Sequence, residues 1–491
     1  MGVALESLPS FVAGARVLPE ASSARIRSLD GAHELPVAET SPASLRRALR
    51  FAEQSQARLR NIPLHDRLEA ARLVVRDYER RSPEACWALA HFRGITLADA
   101  RWMCQLNARW AENFDDLVAI MFDGGETREL WMRGRHVSQL SWHSRGAAAL
   151  FSSSTMDGPA AVVALCHAMI TGTHLILKPS FRDAATHLAF ETLHAHGLHA
   201  YAQLVRWRSD APDAAQLNRS LLAGVAQSVV FSSNETYRAL IDDATPPRTP
   251  EWEALQMRTK RYGTGLPLGI VTANADLDAA ARDLVEGARL GGGRFCLSAG
   301  PVLVERSHHD VLVERVVARA RALRGGPLLA EGTDLSAHDR DTAAALRTVV
   351  RGFGGATAYG AIRDTDMDVI VLGDVPVSST ALYREVPGPV LALIPIEGLA
   401  AAEAIAAASL RQNGREAWTA VAVFGNEVEF VDVQARVAAY RYLRGGVVAQ
   451  VNLLLPHQGA YFALDLVRRV SVEPSPEGAA IRGSSPHLGV A

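Results

Sequence analysis

One thiol stands in a run of small residues, Gly291-Gly292-Gly293-Arg294-Phe295-Cys296-Leu297-Ser298-Ala299-Gly300, between an apolar helical segment and the strand-like Val302 to Val304. Glycines let a backbone approach a ligand closely and take turns closed to other residues. A cysteine in such a turn suits nucleophilic attack on a carbonyl carbon. The plainer alternative is a small buried hydrophobe at a helix-to-strand turn. One more group could serve a site. Lys178 ends the apolar run Leu175-Ile176-Leu177. A solvated strand terminus is its plainer reading.

The elements that must position these groups follow from periodicity. Residues 1–40 read as short strands and turns. Helical spacing begins at Ser41, covers Ser44 to Arg60 and His65 to Arg80, restarts at Ser82-Pro83-Glu84 with a cap residue and a proline, and continues to about Met121. Residues 127–146 read as a hairpin rich in apolar and aromatic residues (Trp131, Met132, Val137, Trp142). Strands and helices then alternate. Ala147–Phe151, Leu175–Pro179 and Ser228–Phe231 are the strands, with Ala160–Thr171 and Ala184–His196 as helices. Such alternation predicts a parallel sheet with crossovers, with ligands beyond the carboxyl ends of its strands. Lys178 and Ser232-Ser233-Asn234 fall at such ends. A second strand–helix region starts near Gly269, where Asp276 is expected to cap the helix leading to Cys296. The helix His309–Leu323, a glycine turn at 352–356, a last strand over Gly446–Asn452 and an irregular tail from Ser471 complete the reading.

Composition bounds the function. A chain of 491 residues exceeds one core and implies two or three domains. Hydrophobic residues at 48% and charged at 21% describe an ordinary globular protein, and a net charge of −2 gives no reason to expect nucleic acid or an anionic membrane. Cys86, Cys104, Cys166 and Cys296 lie far apart with no CxxC pair, which speaks against a disulfide framework or a zinc site and fits a reducing cytoplasm. No signal peptide and no long apolar span are evident. His167 and His174 sit in apolar contexts and read as core or surface residues, with no metal site expected.

Five stretches in order carry a resemblance to the aldehyde dehydrogenase superfamily. The Ser44 to Arg101 helices are similar to that family's N-terminal helices, Leu175-Ile176-Leu177-Lys178-Pro179-Ser180 to its "VVLKPS", Ala275-Asp276-Leu277-Asp278-Ala279-Ala280 to "ADLDAA", Gly293-Arg294-Phe295-Cys296 to "GQxC", and Glu385-Val386-Pro387-Gly388-Pro389-Val390 to "EVFGPV"; the family's "ELGGKSP" stretch has become Arg261-Tyr262-Gly263-Thr264-Gly265-Leu266-Pro267. The resemblance implies an α/β fold with a Rossmann-type cofactor domain (1–126 and 147–261), an α/β catalytic domain (262–452) and oligomerisation segments (127–146 and 453–491). It implies Cys296 as the nucleophile forming a thiohemiacetal or thioester, and Lys178 at the adenosine ribose. Glu385 is implied at the nicotinamide ribose, with further cofactor contacts from Ser180, Arg182, Ser233, Asn234 and Pro387.

The departures shape the expected chemistry. The family's oxyanion asparagine aligns with Thr155, and its general-base glutamate with Arg261. "GSTxVG" has become Ser233-Asn234-Glu235-Thr236-Tyr237-Arg238, in which Asn234 is expected to cap a helix facing a pyrophosphate. The "PFGG" anchor is not recognisable near Pro456-His457-Gln458-Gly459. Arg261 cannot accept a proton, and a cation there is expected to lower the Cys296 pKa or attract an anionic acceptor. Phe181 and Arg182 replace the acidic residue of NAD-preferring relatives, so NADP(H) is expected to be favoured, with NAD(H) as the alternative. The expected activity is interconversion of an aldehyde and an acyl thioester carried by CoA or a carrier protein, in a cytoplasmic homo-oligomer. An ordinary aldehyde-to-acid dehydrogenase and a non-catalytic binding or scaffold protein are the alternatives.

Overall fold

The computed structural model describes residues 5–21, 23–122, 127–132, 135–153, 157–263, 265–386, 388–450 and 462–472. Two large sheets dominate it. The first joins β1 (Ser10–Val12) and β2 (Ala15–Val17) to β7 (Ala148–Phe151), β8 (Leu175–Lys178), β9 (Ala202–Leu204), β10 (Gln227–Phe231) and β11 (Thr259–Tyr262), in the order β11-β10-β7-β8-β9-β1-β2. The five strands from the β11 edge to β9 are parallel. Alternate residues serve opposite faces. Leu150, Leu177, Leu204 and Val229 enter one core, while Phe151, Ile176, Val205 and Val230 enter the other. Burial on both faces explains why these strands read as continuous apolar runs. The helix Pro159–Ile170 is apolar nearly all round because it is enclosed, with ten of its twelve residues buried.

The second sheet contains β12 (Pro267–Val271), β13 (Pro301–Glu305), β14 (Ala356–Tyr359), β15 (Ile370–Gly373), β16 (Val390–Ile396), β17 (Ala420–Phe424) and β18 (Tyr442–Arg444), in the order β14-β15-β16-β13-β12-β17-β18. Only β14 runs antiparallel. A small β-ribbon, β3 (Arg25–Arg27) with β4 (Glu34–Pro36), precedes the N-terminal helices. The hairpin β5 (Thr127–Met132) and β6 (Arg135–Ser144) gains a third strand, β19 (Val467–Val472), which pairs with β6. No helix among the described residues is long and apolar enough to cross a membrane.

Several local expectations shift. Ser82 is the first residue of its helix, not the cap; Arg81 is the N-cap, with no side-chain capping bond. Asp276 does cap Leu277–Arg289, accepting from the Asp278 and Ala279 N–H groups. The last parallel strand is Tyr442–Arg444, ahead of the expected Gly446–Asn452. Gly445 and Gly446 take positive φ (65° and 89°) and end it. A three-residue, half-buried edge strand offers no alternation to read. Strand β19 runs two residues into the stretch expected to be irregular; residues from 473 on lie outside the described ones.

Candidate active site

The route from the first sheet to the second fixes the site. Strand β11 ends at Tyr262, at the carboxyl edge of the first sheet, and with four residues between them β12 begins at Pro267, at the amino edge of the second. Among the other loops that enter parallel strands at that amino edge are 294–300 before β13, 385–389 before β16, and 415–419 before β17. Leu266 and Thr419 lock two of them, the Leu266 N–H donating to the Thr419 hydroxyl (2.8 Å) and the Thr419 N–H to the Leu266 carbonyl (3.0 Å). Cys296 and Glu385 therefore belong to neighbouring loops although they are far apart in sequence.

Two glycines bring these loops together. A Cβ on Gly265 would lie 1.5 Å from the Cys296 carbonyl oxygen, and one on Gly293 2.3 Å from the Gly388 carbonyl carbon. Gly293 also has φ of +68°, as a residue without Cβ readily does. From the other side, Asp99 accepts the Gly291 N–H (2.8 Å) and pairs with Arg289 (3.1 Å). Arg294 is half-buried and donates to the carbonyls of Arg93 and Ala337; enclosure of its guanidinium lowers its pKa to about 10. The Cys296 turn is thus tied to the N-terminal helices as well as to its own sheet.

The electrostatics around the thiol run against the expectation for Arg261. Burial, and then the charge of Glu385, push the Cys296 pKa up to about 12. The residue retains some solvent exposure, but protein encloses its sulfur. Arg261 does not act on it. Its guanidinium lies over the Tyr237 ring, 5.7 Å from the centroid, and its charge falls on Arg415. Glu385 is raised to about 7 by burial, opposed by the Gly265 N–H that donates to its carboxylate and by the Arg415 charge. The cluster therefore runs Cys296–Glu385–Arg415–Arg261, with Glu385 nearest the thiol in effect. Thr155 and Pro387 lie outside the described residues.

At the first sheet, β7 has β8 on one side and β10 on the other, so the chain reverses its strand order there and opens a crevice at the carboxyl ends. Lys178 ends β8 with its ammonium 5.6 Å from the Trp207 ring centroid; burial, then the nearby Arg206, lower its pKa to about 8. Ser180 opens the next turn, its carbonyl accepting the Asp183 N–H (3.0 Å). Arg182 is paired with Asp339 (2.8 Å). The helix Asn234–Ala244 is capped by Ser233, whose hydroxyl accepts the Thr236 N–H (3.2 Å), so Asn234 is its exposed first residue and not the cap. Trp207 and Arg415 went unread in sequence because neither stands in a periodic or motif context. Among the described residues no cluster of three or more His, Cys, Asp or Glu is arranged to hold a metal ion.

Comparison with known proteins agrees with this architecture. Residues 263–437 match the sequence profile of the aldehyde dehydrogenase family. The vanillin dehydrogenase of Pseudomonas fluorescens is 28% identical over 248 residues, 48% of each chain, and the lactaldehyde dehydrogenase of Methanococcus aeolicus 24% identical over 29% of this chain and 31% of its own. The chain thus spans less than half the length of these curated relatives. The fold match is broader. The crystal structure of lactaldehyde dehydrogenase from Escherichia coli superposes with a TM-score of 0.80 at 16% identity, covering 96% of this chain and all of that one. An NADP-dependent glyceraldehyde-3-phosphate dehydrogenase from Bacillus halodurans superposes at 0.78 and 17% identity, covering 95% and 99%. Residues 263–437 thus carry an aldehyde dehydrogenase family domain, and the chain as a whole has the fold of those structures.

Proposed function

We propose that the chain is a nicotinamide-dependent oxidoreductase that interconverts an aldehyde and an acyl thioester through a covalent intermediate on Cys296. One observation carries the choice of thioester over acid. The strand position that the resemblance gives to a water-activating glutamate holds Arg261, stacked on Tyr237, and an arginine side chain cannot accept a proton at ordinary pH. An acyl group on Cys296 then waits for a thiol or a hydride. Arg415, which faces Glu385, and Arg261, which faces Arg415, suit the phosphates of a carrier thiol.

Lys178 supports the cofactor reading. It is a dehydrated ammonium at the carboxyl edge of β8, with no ion pair among the described residues, and suits ribose hydroxyls at the crevice. When bound, the nicotinamide supplies or accepts the hydride. Lys178, Ser180, Ser233 and Asn234 are proposed to hold the adenosine and pyrophosphate end, and Arg182 a 2′-phosphate, which makes NADP(H) the favoured form. A second copy of the chain is the proposed partner, through the three-stranded sheet, whose edge strand β5 pairs with β6 on one side and with no other strand among the described residues.

The test is turnover. Acyl-CoA with NADPH should yield aldehyde, while aldehyde with NADP+ should give one turnover per Cys296 until CoA is added. Cys296→Ser should abolish both. Catalytic release of free acid without a thiol would replace this proposal with an ordinary aldehyde dehydrogenase, and no reaction with any aldehyde or thioester would leave a binding protein.

A further inference from the structure

A thiol held near 12 is overwhelmingly protonated at neutral pH, with thiolate at roughly one part in 10⁵. Sulfur attacks as the thiolate, so a nucleophilic Cys296 needs a proton acceptor. The strand position of the family's general base offers none. Among the described residues Glu385 is the one ionisable group whose charge reaches the Cys296 thiol.

We infer that Glu385 is the proton acceptor for Cys296, so that the carboxylate which the resemblance assigns to the cofactor ribose also activates the nucleophile. Geometry carries the inference. Gly265 binds both partners: its N–H donates to the Glu385 carboxylate, and its Cα face lies against the Cys296 backbone, too close for any side chain. Gly293 places the cysteine turn on Gly388 and Pro389, the continuation of the Glu385 loop. The two side chains thus hang from backbones that cannot separate without breaking both contacts. Burial, against the Arg415 charge and the Gly265 N–H, brings Glu385 to about 7, where a carboxylate can both take and return a proton. Among the described residues, charged and titratable groups facing it include Cys296 and Arg415, and Arg415 in turn faces Arg261 and Tyr440.

The step balances without an oxidant. The thiol proton passes to Glu385 as the S–C bond forms; when the tetrahedral adduct collapses, the departing thiolate takes that proton back. With an ester such as p-nitrophenyl acetate, the C–O bond breaks, p-nitrophenolate departs, and Glu385 returns its proton to solvent.

This rests on the reading of Cys296 as nucleophile, and the experiment separates the two. The burst of p-nitrophenolate on mixing the cofactor-free protein with p-nitrophenyl acetate reports Cys296 acylation, with Cys296→Ser as the blank. In the wild type the burst rate should rise with pH through about 7. Glu385→Gln keeps an acceptor for the Gly265 N–H; its burst should be slower by roughly 10²-fold or more and lose that inflection. Glu385→Asp should recover part of the rate. A carboxylate acting only by its charge gives the opposite sign. Removing a negative charge beside the thiol favours the thiolate, so Glu385→Gln would acylate faster, and a ribose-binding role alone would leave the cofactor-free burst unchanged. Either result overturns the inference. No wild-type burst, or one that persists in Cys296→Ser, overturns the nucleophile itself.

Discussion

Replacing Gly265 by alanine tests the contact on which the site depends. The new Cβ would begin 1.5 Å from the Cys296 carbonyl oxygen, 2.3 Å from its carbonyl carbon and 2.6 Å from its Cα. Real Cβ contacts are essentially never under 3.0 Å, so going from 1.5 to 3.0 Å moves one backbone or the other by about 1.5 Å. The obstruction is main chain, so no side-chain rotation relieves it. Overpacking of this kind costs about 1–3 kcal/mol of stability. The functional cost is larger, because a misplacement of about 1 Å at a reacting centre costs roughly 10²-fold in rate. Gly265→Ala should therefore fold with a lowered denaturation midpoint and show a cofactor-free acylation burst slowed by roughly 10²-fold. Gly300→Ala is the control: it lies four residues past Cys296, has ordinary φ, and its Cβ would meet nothing within 4 Å, so stability and burst should hold. A folded Gly265→Ala protein that acylates at the wild-type rate would refute the reasoning, since Cys296 would then not depend on this backbone contact.

The cofactor crevice yields two further expectations. Lys178 has its pKa depressed on folding, so wild-type stability is penalised in full below about 8 and recovers as pH rises toward the ordinary lysine value. Lys178→Met should therefore melt higher than wild type at pH 7, with an advantage that shrinks above pH 8, while its affinity for NADPH falls; a melting difference independent of pH would contradict the burial argument. Arg182 can pair with a 2′-phosphate only by leaving Asp339. Arg182→Ala should weaken NADPH by roughly tenfold with NADH unchanged, Asp339→Asn should strengthen NADPH, and calorimetry showing neither change would end that assignment.

Much of the fold was legible because parallel strands covered on both faces declare themselves as short apolar runs, and β7, β8, β10 and β12 lie within two residues of their expected bounds. The amphipathic helices 42–59 and 64–80 were equally plain. Short edge elements were not. Strand β18 buries too little to impose a pattern, and the caps at Ser82 and Asn234 depended on one-residue differences in φ and ψ that composition does not fix.

The amino-acid sequence by itself determined which thiol stands among glycines and which lysine ends an apolar run, and through the resemblance it gave the expectation that Arg261 stands where the family keeps a carboxylate. Only the tertiary structure decided what acts on what. Crossovers deliver the loops before β12, β13, β16 and β17 to one sheet edge, so groups far apart along the chain become neighbours. There Glu385, not Arg261, influences Cys296, and Arg261 turns to Tyr237. Proton affinities follow from the same cause. Burial raises the thiol and the carboxyl and lowers Lys178 because desolvation penalises whichever form is charged, and burial belongs to the packed fold and not to any stretch of sequence.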